Sequence, residues 1–165
     1  MANQRGQVVM SHDEQAAFLQ QQRSCTLGTF GPQGQIHLVG MWYAVLDDHI
    51  WFETKKKAQK TVNLRRDPRM SFLVEAGHTY DQLRGVAIEG TAEVIEDEDV
   101  VWDVCVSIFE RYNGPYSEEM RPFVEFMANN RAAVRLDAAR VRSWDHRKLG
   151  LPAMELGGST AAFLD

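Results

Sequence analysis

The sequence predicts a mainly β fold, a small antiparallel β-barrel to which short helices are added. Closely spaced strand-like segments follow one another, and turn residues rather than long helices join the first three. The chain has 165 residues, of which 44% are hydrophobic, and this suffices for one domain with its own core. We therefore expect a single domain over residues 1–165, with residues 1–10 and 153–165 as loose arms.

A helix and three strands are expected in the first third of the chain. Ser11 followed by Glu14 is a capping-box pattern, which predicts a helix through about residue 22. Residues 25–30 are strand-like, and the stretch from Gly31 to Gly34 supplies the reversal that a hairpin needs. The next two strands are predicted at 36–46 and 49–53, with a turn between them at residues 47–48.

The rest of the chain alternates between strands and short helices. A helix over about residues 57–65 ends before Pro68, because the residue that precedes a proline avoids helical geometry. Its buried face is either Thr61 with Leu64 or the set around Val62. The further expected elements are strands at 70–74, 86–95 and 132–144, helices at 100–112 and 118–129, and a polar loop at 77–85. The predicted sheet thus has six strands.

Basic residues concentrate in residues 54–69, which hold seven of the eighteen lysines and arginines of the chain. The whole chain carries a formal net charge of -5, so this cationic segment is better interpreted as a local anion site than as part of a basic surface. The net charge and the lack of an aromatic stacking platform argue against nucleic-acid binding. A phosphate or a carboxylate is the expected ligand.

Composition and cysteine spacing argue against a membrane protein, a secreted protein and a metal-binding protein. The chain has no apolar run of roughly 18 residues, which a membrane-spanning helix would need, and its N-terminus lacks the apolar core of a secretory signal. We expect a cytoplasmic protein without membrane contact. Cys25 and Cys105 lack the spacing of metal ligands, so we expect two reduced, partly buried thiols and no metal.

A strand ending at Thr54, the basic loop and helix with Lys60, and the run from Asn63 to Arg69 carry a family resemblance. This pattern resembles the pyridoxamine 5′-phosphate oxidase-like split β-barrel superfamily, and within it branch B of the actinobacterial flavin/deazaflavin-dependent oxidoreductases. The resemblance extends from Arg23 to Pro152. It implies a homodimer of split β-barrels that binds two flavin-type cofactors in clefts between the subunits.

The same resemblance implies the cofactor and its chemistry. In the branch that this sequence resembles, the usual cofactor is the deazaflavin F420, while relatives use FMN or bind haem. The FMN-using oxidases carry Ser-Arg-Lys where this chain has Ala58, Gln59 and Lys60, so F420 is favoured and FMN is the alternative. The expected reaction is hydride transfer between the reduced cofactor and an unsaturated or carbonyl-like small molecule. A non-catalytic flavin or haem carrier stays open as a second class.

Lys60 is the leading candidate for binding the cofactor phosphate, and its alternative is a solvated surface lysine. Asn63 lies one helical turn further on and could donate its side-chain amide to the same phosphate or to the acidic tail of the cofactor. Lys55 and Lys57 are expected to assist. Arg66 is an ambiguous further cation, because a carboxylate such as Asp67 or Glu53 could pair with it instead.

The resemblance also suggests which residues meet the ring of the cofactor. Met41, Trp42 and Tyr43 are expected along it, although aromatic residues in a strand serve equally well as core. Thr54 either bonds a ring carbonyl or caps the next turn. Two further residues, Trp144 and His146, are expected to reach the pocket of the partner subunit. The sequence indicates neither a catalytic side chain nor a particular substrate.

Overall fold

The computed structural model describes residues 4–164 and divides into two compact units. One unit contains Val74–Ala87 together with the two chain ends, up to Gln22 and from Arg142. The other contains Arg23–Leu73 and Ile88–Val141, and it holds the predicted cationic segment. None of the described helices is long and apolar enough to cross a membrane.

Five α-helices and seven strands form within residues 4–164. The helices are α1 (Gln4–Val8), α2 (His12–Gln21), α3 (Gln59–Arg66), α4 (Glu98–Asn113) and α5 (Arg121–Ala128). The strands are β1 (Cys25–Phe30), β2 (Ile36–Met41), β3 (Ala44–Leu46), β4 (His49–Lys55), β5 (Arg69–Ala76), β6 (Arg84–Ile95) and β7 (Arg131–Asp145). They make one antiparallel sheet in the order β2-β1-β5-β6-β7-β4-β3.

The two edge strands of this sheet are consecutive in the chain, and only Trp42 and Tyr43 lie between them. β2 pairs with β1, with Met41 opposite Cys25, whereas β3 pairs with β4 at the other end of the strand order. A sheet whose outermost strands are joined by two residues has to curl, as a split β-barrel does. The predicted fold class is therefore confirmed.

The prediction of one continuous strand over 36–46 is wrong. The chain leaves the β2 ladder at Trp42, and the backbone N–H of Tyr43 donates to the hydroxyl of Tyr112, at 3.2 Å, instead of to a neighbouring strand. The sheet therefore has seven strands rather than six. The local sequence does not reveal this break, because the aromatic residues Trp42 and Tyr43 themselves favour strands.

Most other predicted elements are present with shifted ends. Ser11 caps α2 through a complete capping box with Glu14, and β1 spans the predicted residues. In α3 the buried face is the one formed by Thr61 and Leu64. The predicted helix at 118–129 is a 3-10 turn, Glu118–Met120, followed by α5, which begins beside Pro122.

The predicted loop and arms also acquire detail. The stretch 77–85 contains a 3-10 turn, Tyr80–Gln82, and its last two residues already belong to β6. Residues 4–10, expected as a loose arm, include α1, and both Val8 and Met10 are buried. Residues 1–3 lie outside the described part. The tail from 153 to 164 is largely irregular and exposed.

Helix α4 has a buried apolar face in the second unit. Its inward residues recur at helical spacing, which gives it one buried stripe, and they pack with Ala44, Val124 and Ala133. The buried residues of this stripe are Val101, Val104, Cys105, Ile108 and Phe109. Burying each aliphatic or aromatic side chain contributes about 1.5–3 kcal/mol. α4 is thereby fixed against the sheet beside the site described next.

Both cysteines are free, as expected, and both are buried rather than partly buried. Burial raises the pKa of the Cys25 thiol and that of the Cys105 thiol to about 12 each. Neither thiol is ionised near neutral pH, so neither is a reactive nucleophile.

Candidate functional site

The second unit contains an open cleft of about 430 Å³ that combines aromatic, apolar and charged side chains. This volume lies within the range of about 300–1,000 Å³ that is usual for small-molecule sites. The lining residues are Ser24, Gly40, Met41, Trp42, Glu53, Lys60, Ile108 and Arg131. The structure thus brings together three predicted site residues, Met41, Trp42 and Lys60.

Trp42 forms an exposed aromatic wall of the cleft. Its indole stacks on the ring of Tyr112 with the centroids 4.3 Å apart and the planes 6° from parallel. The Arg23 guanidinium lies 5.1 Å from the Tyr112 ring centre, and the Tyr112 hydroxyl donates to the carbonyl of Arg23. Trp42 stays 53% exposed although it is held in this way. A fixed and exposed indole offers a flat surface on which a planar ring can stack.

Glu53, Lys60 and Arg131 form the charged part of the cleft, and we call them the cleft cluster. The Arg131 guanidinium donates to Glu53 Oε2 from Nη1 at 2.7 Å. In the β4–β7 ladder Arg131 lies directly opposite Lys55, two positions from the partner of Glu53. Like charges placed opposite each other destabilise a sheet, and the neighbouring carboxylate offsets this repulsion.

Burial governs the electrostatics of the cleft cluster. Loss of water raises the pKa of Glu53, while the charges of Arg131 and Lys60 act in the opposite direction. Burial likewise lowers the pKa of Lys60, and the carboxylate of Glu53 opposes that shift. Within the described part of the chain Lys60 has no ion-pair partner, so its ammonium is available to a bound anion.

Three predicted site residues lie in the interior of the unit. Thr54 is 1% exposed, and its hydroxyl accepts a hydrogen bond from Thr61 at 3.2 Å. Asn63 is fully buried, donates to the Thr29 hydroxyl at 3.0 Å and accepts from Gln59 at 2.8 Å. These contacts join α3 to β1 and β4.

Tyr43 is the third of these interior residues. Its ring is fully buried and meets that of Phe72 edge to face, at 5.3 Å between centroids. The Arg111 guanidinium lies 4.5 Å from the Tyr43 ring centre. The structure does not bring Tyr43, Thr54 or Asn63 to the cleft, and their role in cofactor binding stays a prediction.

The remaining predicted cations are on the surface of the second unit. Lys55 and Lys57 are exposed, and the Arg66 guanidinium donates to the carbonyl of Phe30. Their roles also stay predictions.

Trp144 and His146 belong to the first unit and make contacts of their own there. A Cβ atom on Gly85 would lie 2.1 Å from the Trp144 ring, so only glycine permits this approach. His146 Nδ1 lies 2.9 Å from the carbonyl oxygen of Tyr80, and the two rings are 4.4 Å apart. Their contribution to a partner subunit remains a prediction.

Arg131 and Glu53 are the charged lining residues of the cleft that sequence reasoning did not predict as site residues. Their contact joins positions 78 residues apart, and the predicted last strand began one residue after Arg131. The local pattern around an arginine at the start of a strand carries no signal of its partner. The pairing of β4 with β7 alone reveals it.

The sequence profile of the pyridoxamine 5′-phosphate oxidase family matches residues 11–145. The chain belongs to this family. No match was found among curated proteins. The crystal structure of the conserved hypothetical protein Rv2991 from Mycobacterium tuberculosis is 58% identical, with a TM-score of 0.92 over 94% of this chain and 98% of that one.

Structures of lower sequence identity have names that mention different ligands. An F420 reductase is 20% identical, with a TM-score of 0.61 over 76% of this chain and 93% of that one. HutZ, the heme storage protein from Vibrio cholerae, is 14% identical, with a TM-score of 0.65 over 81% and 96%. At such identities the likeness shows a shared fold alone.

Proposed function

We propose that this family member is an F420-dependent oxidoreductase, a cytoplasmic homodimer that transfers a hydride between the reduced cofactor and an unsaturated or carbonyl-like small molecule. One observation carries the proposal: a single cleft holds a fixed, exposed indole, Trp42, and a lysine, Lys60, that has no ion-pair partner among the described residues. The first fits a planar ring and the second fits a phosphate.

The residues of the cleft suit the separate parts of a phosphate-bearing deazaflavin. Lys60 and Arg131 would bind the phosphate, because a lysine ammonium and an arginine fork are the usual protein groups for that anion. Trp42 would orient the ring, and Met41 and Ile108 would keep water from it. The bound deazaflavin would supply the hydride, and the chain would contribute binding, orientation and a dry surface.

The open alternatives differ in their support. FMN would use the same cations, but the chain lacks the Ser-Arg pair before Lys60 that marks the FMN-using oxidases it resembles. A haem carrier needs an axial ligand for iron, commonly histidine or cysteine. Neither residue is among the described residues that line the cleft. The oxidoreductase is therefore the better supported function.

Titration with F420 and with FMN, each followed by fluorescence, tests the cofactor. We expect tighter binding of F420. Binding of FMN without binding of F420 would refute the proposal. Reduced F420 bound to the protein is then offered a panel of enones, quinones and tetrapyrroles while its absorbance is followed. Oxidation by at least one of them is expected, and inertness toward the whole panel would favour a carrier.

Sedimentation velocity tests the homodimer. One chain has a mass of 18.8 kDa, and the expected species has twice that mass. A monomer at all concentrations that also binds F420 would remove the partner subunit from the proposal.

A further inference from the structure

The cleft contains one carboxylate among its cations. Among the described lining residues, Lys60 and Arg131 are positive and Glu53 is negative, so one positive charge remains in surplus when all three are ionised. The Glu53 side chain is 17% exposed and is held by Arg131 at 2.7 Å. A carboxylate restrained in this way stays beside any anion that enters the cleft.

This charge set fits a monoanion better than a dianion. A phosphomonoester carries a charge of about -1.5 to -2 near pH 7, with its second pKa near 6. A phosphodiester carries a single negative charge throughout that range. One negative charge neutralises the surplus cation of the cleft, whereas a second one exceeds the positive charge of the described lining residues and faces the Glu53 carboxylate in a partly desolvated site.

We propose that Glu53 is a specificity-determining residue that makes the cleft select a phosphodiester over a phosphomonoester. The inference rests on the proposed function, because it assumes that the phosphate of the ligand enters this cleft. It deepens that function, since the phosphate of F420 is a diester and that of FMN is a monoester. Lys60 and Arg131 attract either phosphate, and Glu53 decides between them.

The groups that face Glu53 come from three elements. Arg131 lies on β7, Lys60 on α3 and Cys105 on α4. The Cys105 thiol is neutral because burial raises its pKa to about 12. Burial also raises the pKa of Glu53, so moderate acid protonates this carboxyl while both cations keep their charge. The preference for a diester should then weaken.

Two probes that differ in one charge test the selection directly. Riboflavin 5′-phosphate is the monoester, and its methyl phosphodiester has the same ring and chain. Dissociation constants are measured near pH 8 for the wild type, for Glu53→Gln and for the matched control Glu96→Gln. Glu96 is an exposed carboxylate that pairs with Lys56 and Arg65 and is not among the lining residues of the cleft.

The wild type is expected to bind the diester more tightly than the monoester. Glu53→Gln keeps an oxygen that accepts from Arg131. It should lower the monoester-to-diester ratio of dissociation constants by about tenfold, because the monoester gains affinity relative to the diester. Glu96→Gln should leave the ratio unchanged. An unchanged ratio in Glu53→Gln, or a wild type that binds neither probe, overturns the inference.

A pH series of the wild type serves if Glu53→Gln does not fold. The affinity for the methyl diester, whose charge is constant, should rise severalfold as the pH falls from about 8 to the usual pKa of a glutamic acid, about 4.3, and a flat series counts against the inference. F420 binding and turnover are scored separately. A shifted ratio without F420 binding would refute the proposed function alone, and F420 turnover with an unshifted ratio would refute the selection by Glu53 alone.

Discussion

Two charge clusters are built around the same cationic segment and differ in their contact with water. The exposed cluster consists of Lys56, Arg65 and Glu96, with Lys56 Nζ 3.1 Å from Glu96 Oε2. Hydrogen bonding to Lys56 lowers the pKa of Glu96. The cleft cluster has equally close pairing, yet burial raises the pKa of Glu53. Burial rather than the presence of a cationic partner therefore decides the sign of the shift.

The comparison explains why one cluster is suited to a ligand. Glu96 has a side chain 46% exposed, so water and two cations already satisfy it. In the cleft cluster the charges are poorly solvated and Lys60 has no ion-pair partner among the described residues. An anion that enters the cleft improves the environment of Lys60, whereas an anion at the exposed cluster would compete with Glu96.

The largest effect is expected when the buried pair is broken. Arg131→Met leaves Glu53 charged and partly buried, which should lower the free energy of unfolding by about 3 kcal/mol near pH 8. Without Arg131 the folded-state pKa of Glu53 rises further above its unfolded value. Stability should therefore fall as the pH rises through that pKa, and most of the loss should disappear near the unfolded-state pKa of a glutamic acid, about 4.3. Urea denaturation at both pH values measures it.

The double variant Arg131→Met with Glu53→Gln is the control for that prediction. It has no carboxylate at position 53 and should show a smaller loss that does not depend on pH. An equal loss for the single variant at both pH values would mean that packing of the arginine, rather than charge, stabilises this part of the sheet.

The second effect concerns the two lysines of the segment. Lys60→Met should weaken F420 binding by about 10- to 100-fold, because it removes a charge-assisted contact with the phosphate. Lys56→Met, in the exposed cluster, should change the affinity by less than about twofold. Fluorescence titration of both variants measures the difference. Equal losses of affinity in the two variants would mean that the phosphate does not bind in the cleft, and that the cleft cluster is no better suited to an anion than the exposed cluster.

A smaller loss is expected at the aromatic wall. Trp42→Ala removes the stacking surface and should weaken F420 binding by about fivefold, whereas Trp42→Phe should retain most of the affinity. Calorimetric titration of both variants provides the measurement. If alanine and phenylalanine are equivalent to tryptophan at this position, the ring of the cofactor does not lie on Trp42.

The smallest effect belongs to the exposed cluster itself. Glu96→Gln should leave the urea midpoint unchanged, because exposed ion pairs between solvated side chains contribute little. The same result is expected at low and at high salt. A clear decrease of the urea midpoint that high salt abolishes would show that Glu96, Lys56 and Arg65 act as a network. The exposed cluster would then also contribute to the stability of the fold.

Local signals accounted for much of the fold. Ser11 and Glu14 predicted the start of α2 because the capping box lies within four residues. Thr61 and Leu64 were one of two possible buried faces of α3, since periodicity defines faces without telling which is inward. Lys60 could be proposed from charge density and family resemblance alone.

The features that could not be predicted from the sequence depend on contacts between residues far apart in the chain. The strand break at Tyr43 depends on a hydroxyl 69 residues away, and the pairing of Arg131 with Glu53 spans 78 residues. Neither contact changes the local composition at either end. Asn63 shows a second limit: its position one turn after Lys60 suggested a ligand contact, which stays a prediction, and the burial of Asn63 against Thr29 was not predicted. Pattern alone does not distinguish an internal hydrogen bond from a functional one.

The contacts of Tyr112 indicate in which order the parts of the cleft form. Its hydroxyl bonds the backbone at Arg23 and at Tyr43, 89 and 69 residues earlier in the chain, and its ring supports Trp42. Contacts of such separation close large loops and tend to form late in folding. On the ribosome, which makes the chain from its N-terminus, the cations of residues 54–69 emerge before Tyr112 does. The nascent chain therefore carries its anion-binding charges before it has a surface on which a ring can rest.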